Sequence, residues 1–409
     1  MLKINENVYN KIGELGVYIY TLSLFISKSG ISIGLGFLIL AFLLYLWDKR
    51  KISLTVEEKY ILAILILLPI FSLLSVGGSY SFQRALEKSY RYIGLFFIPL
   101  FLQKDKIVER VLSLFSLSIV ISFINGISFY KKLKWNFNIR LISFSSNPLD
   151  EAHILAMGSM LVLVAIVYYI KEKKWLYTLF YSLTFILSLI ALLFTQGRGA
   201  WIGFVVALFV VLFFLFKSKK NFIIAMLAIS LLGYGAINSK VLENNRYIKR
   251  FESIQNKDSS RILLWQSGIE MYKSHPVFGV GRDNASEFSL EYMKNYFKGQ
   301  KPNYFSRTMM QLAEAGNLHS LYITSLAEEG ILFFPFVGMF LFILYRQVRY
   351  CMGRERDINY YIVVGTIGML VAFLVGGLTE NVWREIWKSN MLVFIIGLYL
   401  SRVKNTERE

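Results

Sequence analysis

A single cysteine, Cys351, among 409 residues leaves no partner for an internal disulfide and excludes a cluster of thiolate metal ligands. Three histidines leave little room for a histidine-rich metal site. Charge is also scarce: Asp, Glu, Lys and Arg make up only 18% of the chain, too little to clothe the core of a soluble protein of this size. No Walker-type phosphate loop, zinc-ligand spacing or Gly-x-Ser-x-Gly elbow occurs, and nothing points to ATP hydrolysis. Internal repeats and low-complexity stretches are absent too. What is abundant is apolar: 55% of residues, with a mean hydropathy of +0.50. Disorder, a soluble enzyme and a disulfide scaffold are thereby excluded. The expected class is an all-α polytopic membrane protein, and neither cofactor nor metal is expected.

A helix needs about 20 mainly apolar residues to cross a bilayer. Twelve stretches qualify as candidates: 14–28, 30–47, 60–76, 90–103, 107–128, 152–170, 175–195, 199–216, 221–237, 319–345, 359–378 and 387–402. The first lacks a basic region before it and a small-residue cleavage site after it, so it reads as a membrane helix rather than a signal peptide. With both termini in the cytoplasm, 22 of the 45 Lys+Arg fall on the cytoplasmic side and 11 in short external loops. The +18 formal charge is therefore read against the bilayer and its lipids, not against nucleic acid.

Residues 238–318 form one external segment of 81 residues, which divides the chain into spans at 1–237, a loop subdomain and spans at 319–409. Ile262, Trp265, Ile269 and Tyr272 recur at helical spacing behind the candidate caps Asp258 and Ser259. His275-Pro276 ends that helix, Gly279 and Gly281 mark a tight turn, and a second helix is expected over 284–298. The segment reads as a small helical subdomain resting on the outer membrane face.

Chemistry-bearing residues gather on the external side. Arg198 stands in the short turn Thr195-Gln196-Gly197-Arg198-Gly199-Ala200-Trp201, where a charge near membrane depth either snorkels to lipid phosphates or has a partner or a task. Arg261 opens the loop helix four residues before Trp265; it is a solvated face in contact with that indole, or an anion ligand. Arg282 follows Phe278-Gly279-Val280-Gly281 and reads equally as a turn residue in water. His319 is the most informative residue. With Asn317 as N-cap it falls in the first turn of the tenth span, where helix amides favour bound anions and an imidazole able to accept a proton. The alternative is an interfacial histidine bonded to a lipid headgroup. Tyr322 shares its face. Glu380, between the last two spans, steers an arginine or acts on a substrate hydroxyl. His153, behind Asp150 and Glu151, reads as an ordinary capped helix start.

Three segments, in order, resemble the O-antigen ligase and polymerase superfamily. Gly197-Arg198-Gly199-Ala200-Trp201 resembles its Arg-Gly-Ala motif. Arg261 to Trp265, with Pro276-Val277-Phe278-Gly279-Val280-Gly281, resembles its long external loop. His319-Ser320-Leu321-Tyr322, continuing to Glu329-Gly330, resembles its His-Asn-x-Tyr and Glu-x-Gly segment, with Ser320 in place of the usual Asn. The resemblance implies a helical membrane glycosyltransferase of the type that uses polyprenyl-linked donors, inverting and needing neither nucleotide nor metal. It implies a glycan taken from undecaprenyl pyrophosphate and attached to the lipid A–core oligosaccharide at the periplasmic face of the inner membrane. Arg198 and Arg261 would grip the pyrophosphate, and His319 would be the base toward the acceptor hydroxyl or a donor-binding residue. Arg282, Tyr322, Trp265 and Glu380 remain as substrate-binding candidates. The polymerase branch, which joins repeat units on the same carrier, is the nearest alternative; one large loop instead of two favours the ligase. A transporter is disfavoured because no pair of broken helices stands at matching positions in two halves.

Overall fold

The computed structural model describes residues 6–49, 52–218, 220–224, 226–227, 254–383 and 385–406. Every regular element among them is helical: α1 (Glu6–Ser23), α2 (Lys28–Lys49), α3 (Val56–Leu74), α4 (Gly78–Ser89), α5 (Gly94–Phe101), α6 (Asp105–Lys132), α7 (Pro148–Lys171), α8 (Trp175–Thr195), α9 (Arg198–Leu215), α10 (Ile254–Ser274), α11 (Ala285–Tyr296), α12 (Tyr304–Glu314), α13 (Leu321–Glu329), α14 (Phe333–Cys351), α15 (Ile358–Gly376) and α16 (Ile386–Thr406).

Eight helical stretches among the described residues are long and apolar enough to cross a membrane: α2, α6, α7, α8, α9, α13 with α14, α15 and α16. The chain is a multi-pass membrane protein. Of the other four expected spans, the ninth, 221–237, lies almost wholly outside the described residues. The first is displaced, because α1 ends at Ser23 and Lys28 already begins α2. The third corresponds to α3, whose first turn carries Glu57 and Glu58, the latter in a capping box with Thr55. The fourth is a 3₁₀ turn, Tyr90–Ile93, followed by the eight residues of α5 with Pro99 inside. It still runs from one end of the bundle to the other, since Leu102 and Gln103 meet Arg402 at the far end.

The interior is built by α7, α15 and α16. Almost every side chain of α15 is buried, and glycines let backbones approach there. A Cβ at Gly203 would lie 2.9 Å from the carbonyl oxygen of Ala372, and one at Gly368 would strike Val211 and Met160. By contrast α8 and α9 turn Leu176, Leu179, Ile202 and Phe213 outward, as lipid-facing helices should.

The far end is tied together by ion pairs, each with at least one buried partner. Arg346 donates to Glu57 at 2.8 Å, and Lys404 to Glu58 at 2.7 Å. Arg402, 0% exposed, reaches Asp105 at 3.0 Å, Asn359 at 2.9 Å and the carbonyl of Gln103 at 3.1 Å.

The tenth span is not one helix. It breaks at Gly330, which takes φ +56° between α13 and a 3₁₀ turn leading into α14. The break receives the loop segment 277–281. Val280 and Gly281 donate their amides to the carbonyls of Ala327 and Glu328 at 2.9 and 3.0 Å, and Ile331 donates to Val277 at 3.1 Å. Carbonyls at the end of α13 are thus satisfied by a segment about 50 residues earlier in sequence. The glycines are obligatory there: a Cβ at Gly279 would lie 2.4 Å from the Glu328 backbone, and one at Gly330 2.5 Å from the Val277 carbonyl oxygen.

Residues 254–318 hold three helices instead of the expected two. α10 begins at Ile254, so Asp258 and Ser259 lie within it and do not cap it. α12 is capped by Asn303 and Ser306 in a reciprocal box. Leu263, Leu264, Met271, Met293, Met309 and Ala313 give the three helices a small core of their own, joined to Ala327 of α13.

Candidate functional site

His319 stands before a helix, not inside one. Its backbone is left-handed, φ 49°, and its amide donates to Asn317 Oδ1 at 2.9 Å. The Asn317 side chain is thus spent on an Asx turn, a competing use of that residue. Ser320 takes over as N-cap of α13, accepting from the amide of Ile323 at 3.4 Å. The turn is clamped onto the end of α15: the Leu321 amide donates to the Gly377 carbonyl at 2.8 Å, and Tyr322 Oη to the Leu374 carbonyl at 2.8 Å. Tyr322 therefore holds the segment in place, with its hydroxyl pointed at protein.

The clamp brings His319 to Glu380. Nδ1 of the ring lies 3.5 Å from Glu380 Oε2, an ion-pair distance when the ring is protonated. Glu380 Oε1 faces the Asn317 amide group at 3.5 Å and accepts from the Asn381 amide at 3.3 Å. Burial alone pushes this carboxyl upward. His319, Lys388 and His153 overcome it and hold Glu380 well below the usual carboxylate range, so it is an anion. Lys388, 1% exposed, forms an ion pair of 2.8 Å with the buried Asp150. His153 is buried as well. Its Nδ1 lies 2.8 Å from the Leu149 carbonyl, an acceptor, so that nitrogen carries a proton.

Arg198 begins α9 on the neighbouring turn. Gln196 adopts φ 55° to end α8, and Trp201 Nε1 donates to the Leu192 carbonyl at 2.9 Å, tying the two helices together. A Cβ at Gly199 would meet Thr379 Oγ1 at 1.8 Å, and one at Gly197 the Ala152 methyl at 2.6 Å. The Arg198 turn is therefore wedged between the residue before Glu380 and the start of α7. Arg140 joins from the α6–α7 connection, its Nε donating to the Thr195 carbonyl at 2.7 Å.

Arg261 and Trp265 lie on the face of α10 that also carries Gly268, at one-turn intervals. A Cβ at Gly268 would meet Leu318 and Ile323, so that face turns toward the segment around His319. Arg282 is elsewhere. It is buried against Glu329 in α13. Burial works against its charge, yet Glu329, Glu328 and Asp283 hold its pKa above the ordinary arginine value.

Among the sequence candidates, His319 and Glu380 are in contact, Arg198 is one turn of chain away from them, and Arg261 and Trp265 share a helix face directed at the same segment. Arg282 is an internal counter-ion of Glu329, and Tyr322 a clamp. Sequence reasoning passed over Asp150, His153 and Lys388. The Asp-Glu-x-His start of α7 has the look of a capped interfacial helix, and burial on every side shows only in three dimensions. Among the described residues no three His, Cys, Asp or Glu side chains converge as a metal site.

Residues 183–343 match the model of the family described as O-antigen ligase. That stretch contains Arg198, Arg261, Arg282 and His319. An uncharacterized protein of Haemophilus influenzae is similar at 24% identity over 316 residues, covering 72% of this chain and 73% of that protein.

Proposed function

We propose, from a chain whose residues 183–343 match the O-antigen ligase family model, that it transfers a glycan from undecaprenyl pyrophosphate to the lipid A–core oligosaccharide. The observation that carries this reading is the His319–Glu380 pair on the rim shared with the Arg198 turn. In the reaction the acceptor hydroxyl attacks the anomeric carbon of the donor sugar and gives its proton to His319. The bond from that carbon to the pyrophosphate oxygen breaks, and undecaprenyl pyrophosphate leaves. Glu380 balances the imidazolium and fixes the ring. Arg198 and Arg261 hold the pyrophosphate, where guanidinium groups neutralise the charge that develops on leaving. Such a displacement inverts the anomeric centre and uses the chain's own side chains as base and electrophile.

The distribution of Lys and Arg supports termini in the cytoplasm of a bacterial cell and a periplasmic site in the inner membrane. Residues 1–237 and 319–409 then form the membrane domain, and 238–318 a periplasmic subdomain that closes over the donor.

The test is reconstitution of the purified protein with the carrier-linked glycan and a lipid A–core acceptor, with mass analysis of both lipids. Glycan on the lipid A–core, lost in His319→Ala and Arg198→Ala, is the expected result. Lengthening of the glycan on the carrier would make the protein a polymerase, and no change in either lipid would overturn glycosyl transfer between these partners.

A further inference from the structure

The connection from α6 to α7 carries a basic cluster that the transfer reaction does not use. Lys131 and Lys132 stand in the last turn of α6, and Lys134 follows just beyond it. All three are exposed. No Asp or Glu occurs from Arg110 to Leu149, and among the described residues no carboxylate pairs with these lysines. Lys49, Lys88, Lys388 and Lys404, by contrast, each have one. The C-terminus of a helix suits Lys131 and Lys132. It does not account for Lys134, which lies outside the helix in a left-handed conformation, φ 51°.

Beside the lysines, the connection turns apolar groups outward. Trp135, Phe137 and Ile139 are 50%, 47% and 40% exposed. A contiguous apolar patch on a loop marks contact with lipid or with a partner. The loop is also held in one shape. The Trp135 amide donates to the Tyr130 carbonyl at 2.8 Å, and Tyr130 Oη to the Ile139 carbonyl at 3.0 Å. The Phe137 ring packs against Tyr130 and Phe194, with centroids 5.1 and 5.5 Å apart. Two bonds fasten the loop to the site end of the bundle. Leu141 donates its amide to the Phe194 carbonyl at 2.9 Å, and Arg140 Nε donates to the Thr195 carbonyl at 2.7 Å, on the turn that leads to Arg198. Cations above an apolar wedge match an amphiphile with an anionic head and acyl chains. A phosphate monoester carries about −1.5 to −2 charge at neutral pH, and a phosphodiester only a single charge. Three unpaired lysines so close together suit the monoester.

We propose that Lys131, Lys132 and Lys134, with the wedge of Trp135, Phe137 and Ile139, form a docking surface for the phosphate-monoester head of the acceptor lipid. This rests on the function proposed above. The core oligosaccharide separates the lipid A phosphates from the reacting hydroxyl, so the phosphates dock on the rim while the hydroxyl reaches His319. The surface governs acceptor binding and leaves bond making to the His319 site.

The experiment uses the full-length protein in phosphatidylcholine nanodiscs. Binding of fluorescent lipid A–core is measured, with the same lipid after phosphatase treatment and with phosphatidylglycerol as a competitor. The variants are Lys131→Gln/Lys132→Gln/Lys134→Gln, the matching triple arginine variant, and Lys294→Gln/Lys298→Gln/Lys301→Gln as a control on exposed lysines of the 254–318 subdomain. We expect Kd for lipid A–core to rise at least about tenfold in the first variant, to be largely restored by arginine and to stay unchanged in the control. The dephosphorylated lipid should bind the wild type and the first variant equally weakly. In transfer assays KM for the acceptor should rise with kcat unchanged. Failure of the wild type to bind lipid A–core, an unchanged Kd in the first variant, or equal losses with the dephosphorylated lipid or in the control would each overturn the assignment. Displacement by phosphatidylglycerol at matched concentration would also overturn it, and would make the surface an anchor to bulk phospholipid. If the wild type binds the lipid but transfers no glycan, the proposed function fails; the binding measurements, which need no donor, still decide the docking surface.

Discussion

Asn317 Oδ1 accepts the amide hydrogen of His319 at 2.9 Å, and the same Asn317 side chain turns its amide group toward Glu380 Oε1 at 3.5 Å. One side chain thus shapes the backbone that presents the imidazole and touches the carboxylate that receives it. His319 holds a left-handed conformation only because this turn supports it.

Removing that support should misplace the ring without disturbing the bundle. Asn317→Ala is expected to lower transfer roughly tenfold to a hundredfold, while Asn317→Ser, which keeps an accepting oxygen for the turn and adds no charge beside Glu380, retains more activity. Initial rates of the proposed transfer, with equal amounts of membrane-inserted protein, would decide it. Equal rates in the two variants would mean that the turn does not need its side chain.

The helix break makes a prediction about stability. Gly330→Ala forces a Cβ into a left-handed position 2.5 Å from the Val277 carbonyl oxygen, and should cost at least about 2 kcal/mol. Gly299→Ala, also left-handed at φ +80° but facing open space, should cost only about 1 kcal/mol. Thermal unfolding of the two purified variants in detergent measures the difference, and matched losses would show that the break tolerates a side chain.

Arg282 and Glu329 should behave as a coupled buried pair. Arg282→Met strands the Glu329 carboxylate and is expected to destabilise by about 3–5 kcal/mol. The double variant Arg282→Met/Glu329→Gln should recover a large part of that loss. A double-mutant cycle on unfolding free energy checks the coupling. Strictly additive losses would separate the two residues.

Glu380 links stability to acid. Its folded-state pKa is depressed below the ordinary 4.5, because His319, Lys388 and His153 outweigh burial. The folded state then binds the proton less readily than the unfolded chain. Its stabilisation is complete above about pH 4.5 and drains away as pH falls through and below that value. Melting temperatures of wild type and Glu380→Gln should therefore differ at neutral pH and converge in acid. A gap that stays constant down to strongly acidic pH would contradict the charged state assigned to this residue.

Chelation should leave the rate unchanged, because arginines and a histidine supply the charge and proton chemistry proposed here. Inhibition by EDTA that a single divalent ion reverses would point to a different mechanism.

Much of this was readable from the chain because membrane helices and turns are written in local composition. The helical class and the Arg198 turn followed from apolar runs and from glycines around a charge, and a lone histidine at a span boundary marked His319 as a candidate. The break at Gly330 was not readable, because its cause is the loop segment at 277–281 docking from far away in sequence. Asn317 was misassigned as a helix cap for a local reason: Asx turns and N-caps use the same residue types, and Ser320 stood close enough to do the capping. Lys388 and Asp150 escaped notice because each looks like an ordinary rim charge until α7 and α16 are packed side by side.

The ion pairs of Arg402, Lys404 and Arg346 at the opposite end join parts of the chain that are far apart in sequence. Arg402 and Lys404 stand in α16, the last helix of the chain, and their partners Asp105 and Glu58 are made about 300 residues earlier. That end of the bundle is therefore fastened last, when α16 arrives, and the early helices must hold their places without these ion pairs until synthesis is nearly done.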